Sequence, residues 1–346
     1  MTQATENTVP LAVLVWRGER IESRHRVAFA VADATGALVH GGGDPSEAVF
    51  PRSAVKPLQA LAMLEGGAAD RFSLTPPEIA LACASHNGEP AHVSAVAAWL
   101  GRLGLGADAL ECGAHPPSYG PAAEALARRG EPSSPLHNNC SGKHAGMLTL
   151  ARHLGAPTGG YALPGHPVQQ RIAAILAEMA DAGPLPAPAI DGCGVPTFPL
   201  TLAQLAAAMA RLADPARLRP ELAAACRRVQ GAMRAHPGMV AGTGRGCTAI
   251  MTALPEVLVK TGAEGMYAAA LPSQGLGIAL KVEDGAGRAA PVAMLALLDA
   301  IGAIDEPARA ALAELARPKL RNHRSVLVGR IEPAPGWPDL AQALGS

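Results

Sequence analysis

A chain of 346 residues with 49% hydrophobic and 17% charged residues can build one large core or two lobes, and its composition is not that of a disordered protein. Its 29 basic residues balance 29 acidic ones and aromatics make up only 3%, which argues against a nucleic-acid surface of basic patches and stacking rings. No run reaches the roughly 20 apolar residues that span a bilayer.

The first residues, MTQATENTVPLAVLVW, have no basic start and only a short apolar run, so no signal peptide is expected and a cytoplasmic setting is. Residues 1–10 read as a flexible lead-in. In chain order, HRVAFAVADATGALVHGG reads as a hairpin: Val27, Phe29 and Val31 alternate, Thr35-Gly36 turns, and Leu38-Val39 return. A helix is expected over 53–65, with Leu58, Leu61 and Leu64 on one stripe. Pro76-Pro77 opens another that ends near Ser85. Further helical patterns cover 91–103, 121–128, 142–153, 167–181, 202–213 and 219–234. Then EVLVKTG, GMYAAAL and GLGIALKVEDG read as successive strands, 289–301 as a long helix, and RNHRSVLVGRIEP as a closing strand. With no repeat, low-complexity tract or long linker, the expectation is one α+β domain over 1–346. Its antiparallel sheet would be flanked by helices and joined by strands from both ends of the chain.

The polar loops hold the chemistry. Ser53-Ala-Val-Lys56 places a hydroxyl and an amine three positions apart, on one helix face. The hydroxyl lies at a helix start, near free N–H groups and a positive dipole end. Serine needs a base before it attacks, and lysine serves once burial or neighbouring cations lower its pKa. Pro57 fits only the first turn. Ser85-His86-Asn87 ends an apolar helix and Lys260-Thr261-Gly262 ends an apolar strand. S-x-x-K, S-x-N and K-T-G thus occur in the order of the penicillin-recognising enzymes, although the first two motifs are close together and no acidic deacylation loop is visible. Two lysines in one cleft should each lower the other's pKa.

His137-Asn-Asn-Cys140-Ser-Gly-Lys143-His144 opens an apolar helix, and Asp191-Gly-Cys193-Gly-Val-Pro196 reads as a tight turn. Cys140 and His144, at i and i+4, have metal-ligand spacing, with Cys193 as a third donor. The competing reading is that of small buried thiols. The other cysteines, Cys83, Cys112, Cys226 and Cys247, read as core thiols, with no disulfide framework expected. Gly242-Thr-Gly-Arg-Gly246 reads as a plain loop rather than a phosphate cradle, since no strand clearly precedes it. Arg52, beside Ser53, suits a substrate carboxylate.

The set FPRSAVKPLQAL, ACASHNGE, HNNCSGKHAGML, DGCGVPTF and LVKTGAEG resembles the Rhizobium etli type (class 3, asparaginase II-like) L-asparaginases, over nearly the whole chain. The resemblance implies hydrolysis of L-asparagine to L-aspartate and ammonia, a fold similar to serine β-lactamases and Ser–Lys glutaminases, and a homodimer. It implies two Ser–Lys pairs, Ser53 with Lys56 and Ser85 with Lys260. It also implies a Zn2+ site at Cys140, Lys143 and Cys193, where spacing alone prefers His144. Arg52, His144 and Asp191 are the candidates to hold the α-amino and α-carboxylate groups. The rival readings are a penicillin-recognising serine hydrolase, a glutaminase, and a non-enzymatic zinc-binding module.

Overall fold

The computed structural model describes residues 9–340; residues 1–8, most of the expected lead-in, lie outside them. The eight strands of the main sheet are β1 (Leu11–Arg17), β2 (Arg20–Asp33), β3 (Leu38–Gly42), β4 (Leu258–Thr261), β5 (Met266–Leu271), β6 (Leu276–Val282), β7 (Lys319–Arg321) and β8 (Leu327–Pro333). Their order is β7-β8-β1-β2-β6-β5-β4, with β3 also on β2. Every pairing is antiparallel.

β2 organises this sheet. Its first half, with alternating burial, pairs with β1. Its second half, Val27 to Ala32, is buried at every position and pairs with β6 and β3. Burial on both faces explains why this half of β2 (VAFAVA) and β5 (MYAAAL) are continuously apolar. The expected hairpin is therefore present, and both chain ends do join one sheet, as β1 pairs with β8. β1 is a strand that local pattern did not reveal, since LAVLVW is too short to show a period.

Helices α1 (Lys56–Glu65), α2 (Pro76–Ala82), α3 (Ser141–Leu154), α4 (Pro167–Ala180), α5 (Leu202–Ala213), α6 (Pro220–Ala235) and α7 (Ala290–Ala300) supply most of the remaining core. α5 packs on β2, β5 and β6, and α7 on β1, β5, β6 and β8. α1 is buried along nearly its whole length and sits among α2, α3, α4 and α6. A helix apolar on all sides belongs in a core, so the charged Lys56 at its start is held inside the protein rather than at the surface. Among the described residues no helix is long and apolar enough to cross a membrane.

Candidate active site

The expected helix at Ser53 begins instead as a 3-10 turn, Arg52–Val55, which runs directly into α1. In a 3-10 turn, side chains three apart eclipse each other, so Ser53 and Lys56 share an edge. Pro57 occupies the first turn of α1. Arg52 has φ +50, a left-handed conformation that a non-glycine residue adopts at a cost of about 1–3 kcal/mol and that concentrates at functional sites. Two close approaches bring the other motifs to this turn. A Cβ on Gly262 would stand 2.8 Å from Pro51 O and 3.2 Å from Ala54 N, so glycine lets the end of β4 meet the Ser53 turn. A Cβ on Gly142 would stand 2.3 Å from Leu81 O; glycine there lets α3 close on α2 and sets Cys140 beside the loop that carries Ser85.

The result is a buried polar chain. Lys56 Nζ donates to Ala84 O (2.6 Å), Ser85 Oγ (2.9 Å) and Cys140 Sγ (3.1 Å). Three acceptors around one amine nitrogen is the arrangement of an ammonium. Lys260 Nζ lies 2.8 Å from Ser85 Oγ and 2.8 Å from Thr261 O. Both lysines are 1% exposed. Burial first, and the Lys56 charge second, bring the Lys260 amine down to about 7, so it is free to take a proton near neutrality.

Both lysines converge on Ser85, and Lys56 is hydrogen-bonded to Ser85 rather than to Ser53. The Ser53 side chain makes no hydrogen bond among the described residues, and it is only half-buried, whereas Ser85 is buried between the two amines. The backbone fixes Ser85 from both sides: its N–H donates to Val240 O, and that of His86 to Asn139 O.

Asn87 faces away from the lysines. Its side-chain oxygen accepts from Arg245 (2.9 Å) and Ser118 (3.1 Å), and its nitrogen donates to Thr243 O (2.9 Å). It therefore braces the Gly242–Gly246 loop. That loop is no phosphate cradle, because the Glu89 carboxylate already accepts from the Thr243 N–H and hydroxyl.

Arg52 and Asp191 meet at 2.7 Å. Burial pushes the Asp191 carboxyl up, but Arg52 and the Gly192 N–H outweigh it and hold it below its ordinary value. A fixed cation beside a fixed anion complements the carboxylate and ammonium of an α-amino acid. The Asp191–Pro196 turn joins two short paired strands, Ala189–Ile190 and Pro196–Thr197, and presents Cys193 to α3.

There Lys143 Nζ lies 2.9 Å from Cys193 Sγ. A hydrogen bond from Cys193, opposed by burial and aided by Lys56 and Lys143, holds Cys140 well below its usual value, toward thiolate. Burial would lower the Lys143 amine, but the two sulfurs reverse that and raise it. Two thiols and an amine are nitrogen and sulfur donors of the kind zinc takes, so the residues fit the implied metal. His144 does not join them: its Nδ1 lies 2.7 Å from the Tyr161 hydroxyl. Among the described residues no cluster of three or more His, Cys, Asp and Glu is arranged to hold a metal, so a site here needs Lys143. All six cysteines are free and buried.

Residues 13–333 match the family described as L-asparaginase II. The chain belongs to that family. The L-asparaginase II match spans every motif above. No curated protein matches it. Among solved structures it is similar to Mglu in its native form, at 17% identity and TM-score 0.46, over 81% of this chain and 66% of that one, just under two thirds of its length. It is also similar to a β-lactamase from Mycobacterium bovis, at 16% identity and TM-score 0.39, over 84% of this chain and 95% of that one. The α+β assignment of this L-asparaginase II member rests on its own sheet order.

Sequence reasoning missed Tyr161, whose hydroxyl meets His144, and Glu111, which holds the Tyr161 loop. One signal was available: Tyr161 is one of only three tyrosines, set in a Gly-rich loop.

Proposed function

We propose that this protein is an L-asparaginase that hydrolyses L-asparagine to L-aspartate and ammonia through a seryl ester. The observation that carries this reading is the hydrogen-bonded run Lys56–Ser85–Lys260, ending on an amine at about 7. Ser53, the accessible hydroxyl at the strained turn, attacks the side-chain amide carbon. Its proton passes to Lys56 as Lys56 gives one through the Ser85 hydroxyl to neutral Lys260, so the net base is Lys260. N–H groups at the start of the turn hold the oxyanion. The amide C–N bond breaks as the nitrogen regains a proton by the same route, and ammonia leaves. Water then attacks the aspartyl ester, the lysines again moving the proton. Arg52 and Asp191 hold the α-carboxylate and α-ammonium.

Ammonia release from asparagine and from glutamine, measured beside intact-mass analysis with benzylpenicillin, tests the reading. Expected are ammonia from asparagine in excess over glutamine and no stable penicilloyl adduct. No ammonia from asparagine sinks it; faster release from glutamine reassigns the enzyme as a glutaminase, and a lasting adduct favours a penicillin-recognising hydrolase.

Cys140, Lys143 and Cys193 would hold zinc. When bound, zinc would supply a Lewis-acid charge that orders and polarises a substrate oxygen. Elemental analysis after reconstitution should find one zinc per chain, and Cys193→Ser combined with Lys143→Met should retain none. A reconstituted wild-type protein without zinc removes the metal from this reading.

A further inference from the structure

His144 is fully buried, and its Nε2 has no hydrogen-bond partner among the described residues. A buried orphan donor or acceptor costs about 1–3 kcal/mol and calls for an explanation. The other ring nitrogen shows which of the two Nε2 is. The Tyr161 hydroxyl, also fully buried, accepts the Glu111 backbone N–H at 2.8 Å. Its own hydrogen needs an acceptor, and the atom in reach is His144 Nδ1 at 2.7 Å. Nδ1 therefore accepts, and the ring proton sits on Nε2. Tyr161 has little freedom to rearrange. The Glu111 carboxylate accepts the Gly160 N–H at 2.5 Å and the Ala162 N–H at 3.1 Å, clamping the loop on either side of the tyrosine. An imidazole whose Nδ1 accepts a hydrogen bond carries a single ring proton and is uncharged. The His144 backbone N–H donates to Cys140 O at 3.0 Å, and Cys140 Sγ lies 3.1 Å from Lys56 Nζ.

We propose that Tyr161, clamped by Glu111, is a positioning residue that locks His144 with its proton on Nε2, so that this N–H is a donor kept for an oxygen of the amino-acid substrate. The proposal rests on the asparaginase reading for the identity of that oxygen, but the tautomer is a property of the protein alone.

Long-range proton–nitrogen NMR of the histidine-labelled full chain tests the lock, with the His144 signals assigned by their loss in His144→Gln. Expected in the wild-type protein is a protonated Nε2 and a bare Nδ1. In Tyr161→Phe the proton should redistribute to Nδ1. The KM for asparagine should rise about tenfold, the loss of one polar contact, while kcat changes less than about threefold. His144→Gln, whose amide nitrogen reaches the Nε2 position, should keep KM within about threefold of wild type, and His144→Asn should not. A wild-type proton on Nδ1 overturns the lock, as does a Tyr161→Phe tautomer unchanged from wild type. A tautomer that moves with no change in KM overturns the donor role. A chain with no asparaginase activity but the expected wild-type tautomer defeats the catalytic reading and leaves the lock standing. The wild-type spectrum and His144→Gln carry the test even where Tyr161→Phe fails to fold.

Discussion

Ser53→Ala is expected to lower asparagine turnover about ten-thousand-fold, the scale seen when a serine nucleophile is removed. Its folding stability should stay within about 0.5 kcal/mol of wild type, as for a substitution that breaks no packing or hydrogen bond. Both parts follow from the placement of the hydroxyl: it heads the 3-10 turn, is half-buried, and has no side-chain hydrogen bond among the described residues. Ser85→Ala should behave differently. Its hydroxyl is shared by Lys56 and Lys260, so its removal leaves two buried amines short of an acceptor, at about 1–3 kcal/mol. As a proton carrier rather than the attacking group, its loss should slow turnover about 100- to 1,000-fold, within the range of general acid–base catalysis. Acid quenching during turnover of a slow amide analogue, followed by peptide mapping, locates the ester directly. The aspartyl mass should fall on the peptide holding Ser53 in the wild-type protein and still form, more slowly, in Ser85→Ala. An ester on Ser85 would transfer the nucleophilic role to that residue and leave Ser53 a binding group.

Much of this arrangement is legible in sequence, but unevenly. The hairpin of β2 and β3, the run β4-β5-β6 and the buried helices follow from local period and turn chemistry, which act over a few residues. β1 escapes because LAVLVW is too short to show a period, although it pairs with the adjacent β2; its other partner, β8, lies more than 300 positions away, and nothing local reports that pairing. The same limit governs the site. Ser53 and Lys56 share an edge because of a local turn, yet Lys56 finds its hydroxyl 29 positions on and Lys260 finds the same one 175 positions back. No spacing rule assigns one serine to two lysines. Spacing also favoured His144 as a metal ligand. In the fold the Cys193 turn arrives at Lys143 and the Tyr161 hydroxyl meets His144 Nδ1, contacts that no spacing rule reports. The glycines at 142 and 262 were visible as motif letters, but their role, admitting one backbone against another, exists only in three dimensions.

Lys260→Met should abolish the chemistry and, near pH 6, stabilise the protein. In the wild-type enzyme kcat/KM should rise tenfold per unit of pH below about 7 and level off above it, because the amine that takes the proton is brought to about 7 and must be neutral to act. The variant should lose about a thousandfold in turnover, within the range of general-base catalysis. The stability effect follows from the same shift. Unfolded, the amine has its ordinary value of 10.5; folded, burial and the Lys56 charge lower it to about 7. Between those values the unfolded chain binds more protons than the folded one, so the stability of the wild-type fold rises with pH across that window. The penalty for burying this lysine is therefore present in full below pH 7 and gone above about 10.5. Methionine removes the charge but also the contacts to Ser85 and Thr261, which leaves a net gain on the order of 2 kcal/mol at pH 6 that fades as the pH approaches 10. Denaturant melts of both proteins at pH 6, 8 and 10 read this out. A variant less stable than wild type at pH 6, or a difference independent of pH, would mean that Lys260 is charged in the resting fold. Another group would then have to serve as base. A catalytic amine that destabilises its own protein is the expected signature of a site tuned for proton transfer rather than for packing.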